Sequence, residues 1–378
     1  MRYLVDLGID AHLLLYNNEQ KHFLPENDTW EIEKWKDRIH ALRLDSYGKA
    51  SLYLTKNQIR NDLRGYDIYI GNGFAPGYFF KIKKHLDLFL PYGNYVEGLS
   101  KGKSKNPIKS LMKSYLRRQQ IKGLDFFTSF ASSIGNTTRK VLNQFNCKVL
   151  SLGIPMVYNK ETDGYTQTET TEIIDLLRES DITIFSHVSH IWKNIPNWWD
   201  KGIKSNNILI EGFAKYKQLT EKDAKLVLLE YGSDVKHSKN LIESLGIKDS
   251  VIWLKKMSRK EIMLLMDHVD IGGGELGGEI WGGTGWEFMA KGIPFFQSVD
   301  IPPENFEKDA KIPFPSFVNV NTPEAICEHL FKYEKNPNVY KDIGKKLKAW
   351  FDEFSGVGLA LKYRDLIFQL YKEKELNR

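Results

Sequence analysis

Residues 272–297, GGGELGGEIWGGTGWEFMAKGIPFFQ, carry seven glycines in the first twelve positions and a pair of glutamates, Glu279 and Glu287, with seven residues between them. Glycine lets a backbone approach a ligand closely or turn through positive φ. The pattern then changes: 284–291 reads as a helix closed by Gly292, and IPFFQ reads as a strand. A glycine-rich loop that opens into a helix aims free N–H groups and the positive end of the helix dipole at whatever lies above it, so an anion such as phosphate suits the place. The same residues admit a second reading. Thr284 and Glu287 have the spacing of a capping box, in which each side chain satisfies the other's backbone N–H and the glutamate is purely structural.

Around this stretch short apolar runs alternate with helical patterns, which favours α/β layers over all-α or all-β architectures. Upstream, 172–180 reads as a helix, DITIFSH (181–187) as a strand and 205–218 as a helix. KLVLLEYG (225–232) and VIWL (251–254) read as strands separated by a helix at 237–244. Ser258 and Glu261 form a capping box that opens a helix with Ile262, Leu265, Met266 and Val269 on one stripe, and a short strand at 269–271 leads into the glycine-rich stretch. Downstream, Thr322 and Pro323 start a helix, and 356–378 is an amphipathic helix. In the first half YLVDLG, SLYLT, YDIYIGN, DLFLPYG and KVLSLGI read as strands, with binding loops expected at the C-terminal ends of a parallel sheet. Residues 10–48 give no clear assignment. YNKETDGYTQTETT (158–171) is polar enough to be a linker, which divides the chain into 1–164 and 165–355.

A chain of 378 residues suits two domains, and 42% hydrophobic content with 13% aromatics supports two cores. Cys147 and Cys327 are far apart and have no ligand-like neighbours, so neither a disulfide framework nor a zinc site is expected. No secretory leader and no spanning apolar run is legible, which suits a soluble, cytoplasmic protein. The net charge of +6 is unevenly spread: 101–122 holds eight cations and no acid. Asn106 as cap, Pro107 in the first turn and Gly123 as terminator predict one helix. Ile108, Leu111, Met112 and Tyr115 share one face, with Lys109, Lys113 and Arg117 roughly opposite. Such a face is either simply solvated or a peripheral contact of 105–122 with anionic lipid, at about 1 kcal/mol per cation. No nucleic-acid-binding motif is present.

The order of elements in the second half resembles the nucleotide-binding domain of GT-B glycosyltransferases, particularly retaining glycosyltransferase family 4. Glu279 and Glu287 match that family's Glu, seven residues, Glu motif, and FMAKGIPFF (288–296) matches the helix end with its Gly and Pro. Lys201–Gly202 before GFAKY resembles the family's Lys–Gly step, and SVIWLKKMSRKEI (250–262) resembles the strand and helix that flank the nucleobase. The resemblance implies two Rossmann-like domains facing each other across a cleft, with the C-terminal helix 356–378 crossing back onto the first. It also implies roles. Glu287 would accept hydrogen bonds from ribose hydroxyls; Gly282, Gly283 and Thr284 would hold the diphosphate; Lys201 would neutralise it. Glu279 would contact the transferred sugar, and Lys256 and Met257 would border the base. On the acceptor side, Asn72 and Gly73 in YDIYIGNGFAPGYF and Tyr92 in LFLPYGNYVE would face the cleft.

One departure stands out. Where relatives carry a phosphate-binding Arg after the first strand of this domain, this chain has Ser189, leaving His190 or Lys193 as substitutes. His187 and His190 lack a third metal ligand, and the chain has no Asp, any residue, Asp triplet, so neither a metal nor another cofactor is expected. The implied activity is transfer of a sugar from a nucleotide sugar to a glycan or lipid-linked acceptor, with retention, by front-face attack without a carboxylate nucleophile. A nucleotide-sugar epimerase or phosphorylase of the same fold, or a non-catalytic sugar-nucleotide or glycan-binding protein, remain as alternatives.

Overall fold

The computed structural model describes residues 1–17, 24–45, 53–91, 107–160, 168–194, 204–278 and 280–376. In the first half, β1 (Leu13–Asn17) pairs in parallel with β2 (Ile39–Asp45). A parallel four-stranded sheet then runs β3 (Ile70–Asn72), β4 (Leu86–Leu90), β5 (Thr128–Ser132), β6 (Lys148–Leu150) in spatial order. LLLYN and IHALRLD, inside the stretch left unassigned from sequence, are therefore strands. Two expected strands are not. YLVDLG forms the helix Arg2–Asp6. Tyr53–Thr55 of SLYLT are not strand, and Thr55 instead caps the helix Lys56–Asp62, its hydroxyl accepting from the Gln58 amide at 3.3 Å. Runs this short carry too few periods to separate a helix from a strand.

The basic helix spans Pro107–Phe127 and passes straight through Gly123. A Cβ on Gly123 would collide with the Pro76 carbonyl of the helix Ala75–Ile82, so this glycine permits close helix contact rather than ending the element. Leu116 and Leu124 of the helix face the first-half core, while Ile108, Leu111, Met112 and Tyr115 are exposed together with Lys113, Arg117 and Arg118. Among the described residues no helix is long and apolar enough to cross a membrane.

The second half is one parallel sheet of β7 (Ile182–Ser186), β8 (Ala224–Leu229), β9 (Val251–Leu254), β10 (Ile271–Gly273), β11 (Phe295–Gln297) and β12 (Val318–Asn319). Their spatial order is β12-β11-β10-β7-β8-β9. All five residues of β7 are buried, as a parallel strand covered on both faces requires. The chain first winds outward from β7 through β8 to β9, then returns and winds the other way from β10. This is the doubly wound order, and it opens a crevice beyond the C-terminal ends of β7 and β10, where such sheets bind ligands.

The halves are joined by more than the linker. Ile134, just past β5, and Met156 and Val157 pack against the second-half core. The last helix, Val357–Leu376, lies on the first sheet: Leu359 and Tyr363 cluster with Leu88. The Tyr363 hydroxyl donates to the Gly153 carbonyl at 2.6 Å, and Lys374 Nζ meets Asp87 Oδ1 at 2.7 Å.

Candidate functional site

The crevice at the ends of β7 and β10 is built around Glu287. The helix Gly283–Lys291 has Gly282 as its N-cap, so Glu287 is its fifth residue and the capping-box reading fails on geometry. Its carboxylate instead reaches across to the end of β7, accepting from His187 Nε2 at 2.6 Å and from Arg259 Nε at 2.7 Å. Burial by itself would raise the Glu287 carboxyl; the bonds and charges of His187 and Arg259 outweigh it and hold the group below its usual range. Arg259 opens the helix Arg259–Met266, whose Ser258 amide donates to Glu261 at 2.6 Å in the expected capping box. The same guanidinium donates through Nη1 to Asp28 of the first half at 2.9 Å. Burial first, then nearby Glu287 and Glu275, push the Tyr231 phenol up to about 12, so it stays protonated and donates to the His187 carbonyl at 3.0 Å.

The helix start faces this corner with open donors. The first amides to find an intrahelical acceptor are those of Gly285 and Trp286, both on the Gly282 carbonyl. Among the described residues the amides of Gly283 and Thr284 have no backbone acceptor, as the first turn of a helix leaves them, and Thr284 Oγ1 is likewise buried without a partner. A cation and a carboxylate not singled out from sequence share the corner. Lys204 precedes the helix Asn206–Lys217 through Ser205, which adopts the left-handed conformation at φ 50° and ψ 42°. Its Nζ lies 2.5 Å from Oε2 of buried Glu275, just past β10. That carboxylate rests on Gly282, where a Cβ would collide with it. Lys204 follows the Lys201–Gly202 pair and Glu275 lies outside the seven-residue spacing to Glu287; the local signal for the lysine is its place just ahead of a helix N-cap.

The remaining expected residues divide clearly. Lys201, Glu279 and Tyr92 lie outside the described residues. His190 is fully buried, its Nδ1 on Ser238 Oγ at 2.8 Å, and burial lowers it to about 4; it is neutral and packed against Trp253, which removes it as a stand-in cation for phosphate. Lys193 is exposed, and its amide, with those of Trp192 and Asn194, donates to the buried Asp234 carboxylate at 2.7–3.2 Å. Asp234 thus ties down the loop after β7. Lys256 Nζ stands 5.4 Å above the Tyr231 ring, and Met257 packs on the second-half core. In the first half Asn72 ends β3 and is exposed, whereas Gly73 is a buried turn residue with φ 55° whose carbonyl accepts from Gln120 Nε2 at 2.7 Å. His187 and His190 have different partners, and among the described residues no three His, Cys, Asp or Glu side chains converge as metal ligands.

A cavity of about 270 Å³ adjoins the crevice between the halves, lined by Leu13, Leu15, Asp28, Trp35, Met156 and Arg259. A larger groove of about 610 Å³ includes Val269, Asp270, Ile293 and Pro294, which precede β10 and β11, so it lies at the opposite ends of the strands. Of its lysines, Lys291, Lys345 and Lys348 are paired with Asp267, Asp342 and Asp352.

Residues 201–350 match the family model described as Glycosyl transferases group 1. No curated protein matches the chain. Among solved structures it is similar to Anabaena Alr3699/HepE in complex with UDP and glucose, with TM-score 0.59, 11% identity, and 95% of this chain and 100% of that chain covered. It is also similar to sucrose-phosphate synthase (tll1590) from Thermosynechococcus elongatus, with TM-score 0.53, 12% identity and coverages of 88% and 82%. A glycosyltransferase from Rickettsia africae ESF-5 gives TM-score 0.50, 13% identity and coverages of 97% and 99%. At such identities the likeness concerns the fold, and the fold is the GT-B arrangement of two parallel α/β layers.

Proposed function

We propose that this chain is a glycosyltransferase that moves a sugar from a nucleoside diphosphate sugar to a glycan or lipid-linked acceptor, with retention of configuration and without a metal. The observation that carries this reading is Glu287: a carboxylate kept ionised inside the switch-point crevice, beside a helix start with open amides. The family match over 201–350 and the UDP in the HepE structure support the same donor class.

An ionised carboxylate offers only acceptors, which suits ribose hydroxyls. The diphosphate would lie on the amides of Gly283 and Thr284, with Lys204 supplying the cation and Lys201 a second one. In the transfer, the bond from the anomeric carbon to the diphosphate oxygen breaks and a bond to the acceptor oxygen forms on the same face. The acceptor's proton passes to the departing phosphate. The barrier then depends on stabilising the leaving charge, and fixed amides and a lysine in a partly desolvated corner do that without a metal. Glu279 would steady the sugar, and Lys256 and Met257 would border the base.

The exposed stripe of Ile108, Leu111, Met112 and Tyr115, with Arg118 beside it and Lys113 and Arg117 exposed on the far side of the same turns, supports contact with an anionic membrane at the inner face of the cell, the apolar groups entering the interface and the cations adding longer-range attraction.

UDP or GDP at about a hundred times its dissociation constant should stabilise the fold by roughly 2.7 kcal/mol, read as a rise in Tm. No rise with any nucleoside diphosphate would sink the donor-site reading. Incubating each nucleotide sugar with and without acceptor and reading the anomeric products by NMR separates transfer from epimerisation, and retention from inversion. EDTA should leave turnover unchanged. Sedimentation with anionic vesicles should weaken in high salt and on Lys113→Glu/Arg117→Glu replacement; salt-insensitive binding would overturn the membrane contact.

A further inference from the structure

We infer that Glu275 is an internal counter-ion that competes with the donor's diphosphate for Lys204 and for the start of the helix Gly283–Lys291, and so favours release of the nucleoside diphosphate product. This rests on the donor-site reading above. Two positive features meet in this corner: the lysine ammonium and the dipole of the helix with its open amides. The Glu275 carboxylate already touches both, through Lys204 Nζ at 2.5 Å and through Gly282, the helix N-cap. A phosphate on the Gly283 and Thr284 amides would seek the same partners and would be repelled by the carboxylate.

The backbone around the pair is pinned, so the contest is between side chains. Gln297, wholly buried on β11, accepts from the Glu275 amide at 3.1 Å and donates to its carbonyl at 2.5 Å. The Lys204 carbonyl accepts from the Leu276 amide at 3.2 Å. Only rotation of the Glu275 or Lys204 side chain can exchange the carboxylate for a phosphate oxygen. Thr284, two residues past Gly282, has a hydroxyl buried without a partner among the described residues, a donor such an oxygen could take up. Binding a nucleoside without phosphates would leave the ion pair untouched, which sets this role apart from a purely structural one.

The test is calorimetric titration of UDP and GDP, and of uridine and guanosine, into wild type, Glu275→Gln and Glu275→Asp. Glu275→Gln should bind the nucleoside diphosphate about tenfold more tightly, the scale of one charge-assisted bond freed on Lys204, with nucleoside affinity unchanged. Glu275→Asp, which keeps the charge but withdraws it by one methylene, should give a smaller gain and serves if the Gln variant folds poorly. The gain should vanish when Lys204→Met is added. Unchanged or weaker diphosphate binding in the folded variants overturns the inference, as does an equal change for nucleoside and diphosphate. A wild-type protein that binds no nucleoside diphosphate overturns the donor-site reading itself, so the two failures are distinguishable.

Discussion

Glu287 and His190 face the same problem, burial of a titratable group, and solve it in opposite ways. Glu287 keeps its charge because two donors, His187 and Arg259, accompany it into the interior. His190, with the Ser238 hydroxyl on its Nδ1, has no such pair of donors or charges to outweigh burial and surrenders its charge. Replacing Glu287 by Gln should lower stability by about 3 kcal/mol, because Arg259 is left partly unpaired inside, and should weaken nucleotide binding. The carboxyl's folded value lies below its ordinary 4.5. Its contribution is therefore complete above that pH and lost as pH falls through the depressed folded value. Denaturation curves of wild type against Glu287→Gln should converge on acidification. For His190 the window is higher: the unfolded chain takes up a proton below 6.5 that the folded one refuses until about 4. Stability should fall across that range by on the order of 3 kcal/mol, and His190→Gln should flatten this part of the curve.

At the scale of elements, Gly123 shows how one residue type can be read two ways. In an exposed helix interior, Gly→Ala gains about 1 kcal/mol of helix propensity. Here the added methyl meets the Pro76 carbonyl across a helix contact, and overpacking costs about 1–3 kcal/mol. Gly123→Ala should therefore destabilise, measured as a lower denaturant midpoint with an unchanged slope; a gain in stability would mean the two helices separate freely. The capping box of Ser258 and Glu261 was legible because both partners lie within one turn. The supposed box of Thr284 and Glu287 had the same spacing, yet the Glu287 side chain is drawn 100 residues away in sequence to His187. Local spacing names the candidates for a bond; distant partners decide which bond forms.

Across the whole molecule, one chain of charges links the halves. Arg2 and Arg259 both bond Asp28, and Arg259 passes the link to Glu287 and through it to His187. The crevice around Glu287 is thereby tied to the first half by a residue that no motif marks. Asp28→Ala should remove about 1 kcal/mol or more, since Arg259 and Asp28 are only partly screened by solvent, and should speed proteolytic cleavage within 151–160. An unchanged cleavage rate would show that the packing of Ile134, Met156 and Val157 alone holds the halves together. The alternation of elements after residue 168 and the glycine-rich turn into a helix were set by local pattern, because helix caps, strand runs and glycine loops are short-range features. The doubly wound strand order, the partners of Glu287, the pairing of Lys204 with Glu275 and the clasp at Asp28 were decided only in the tertiary structure. Each joins residues far apart in the chain, and burial rather than spacing selects which charges meet.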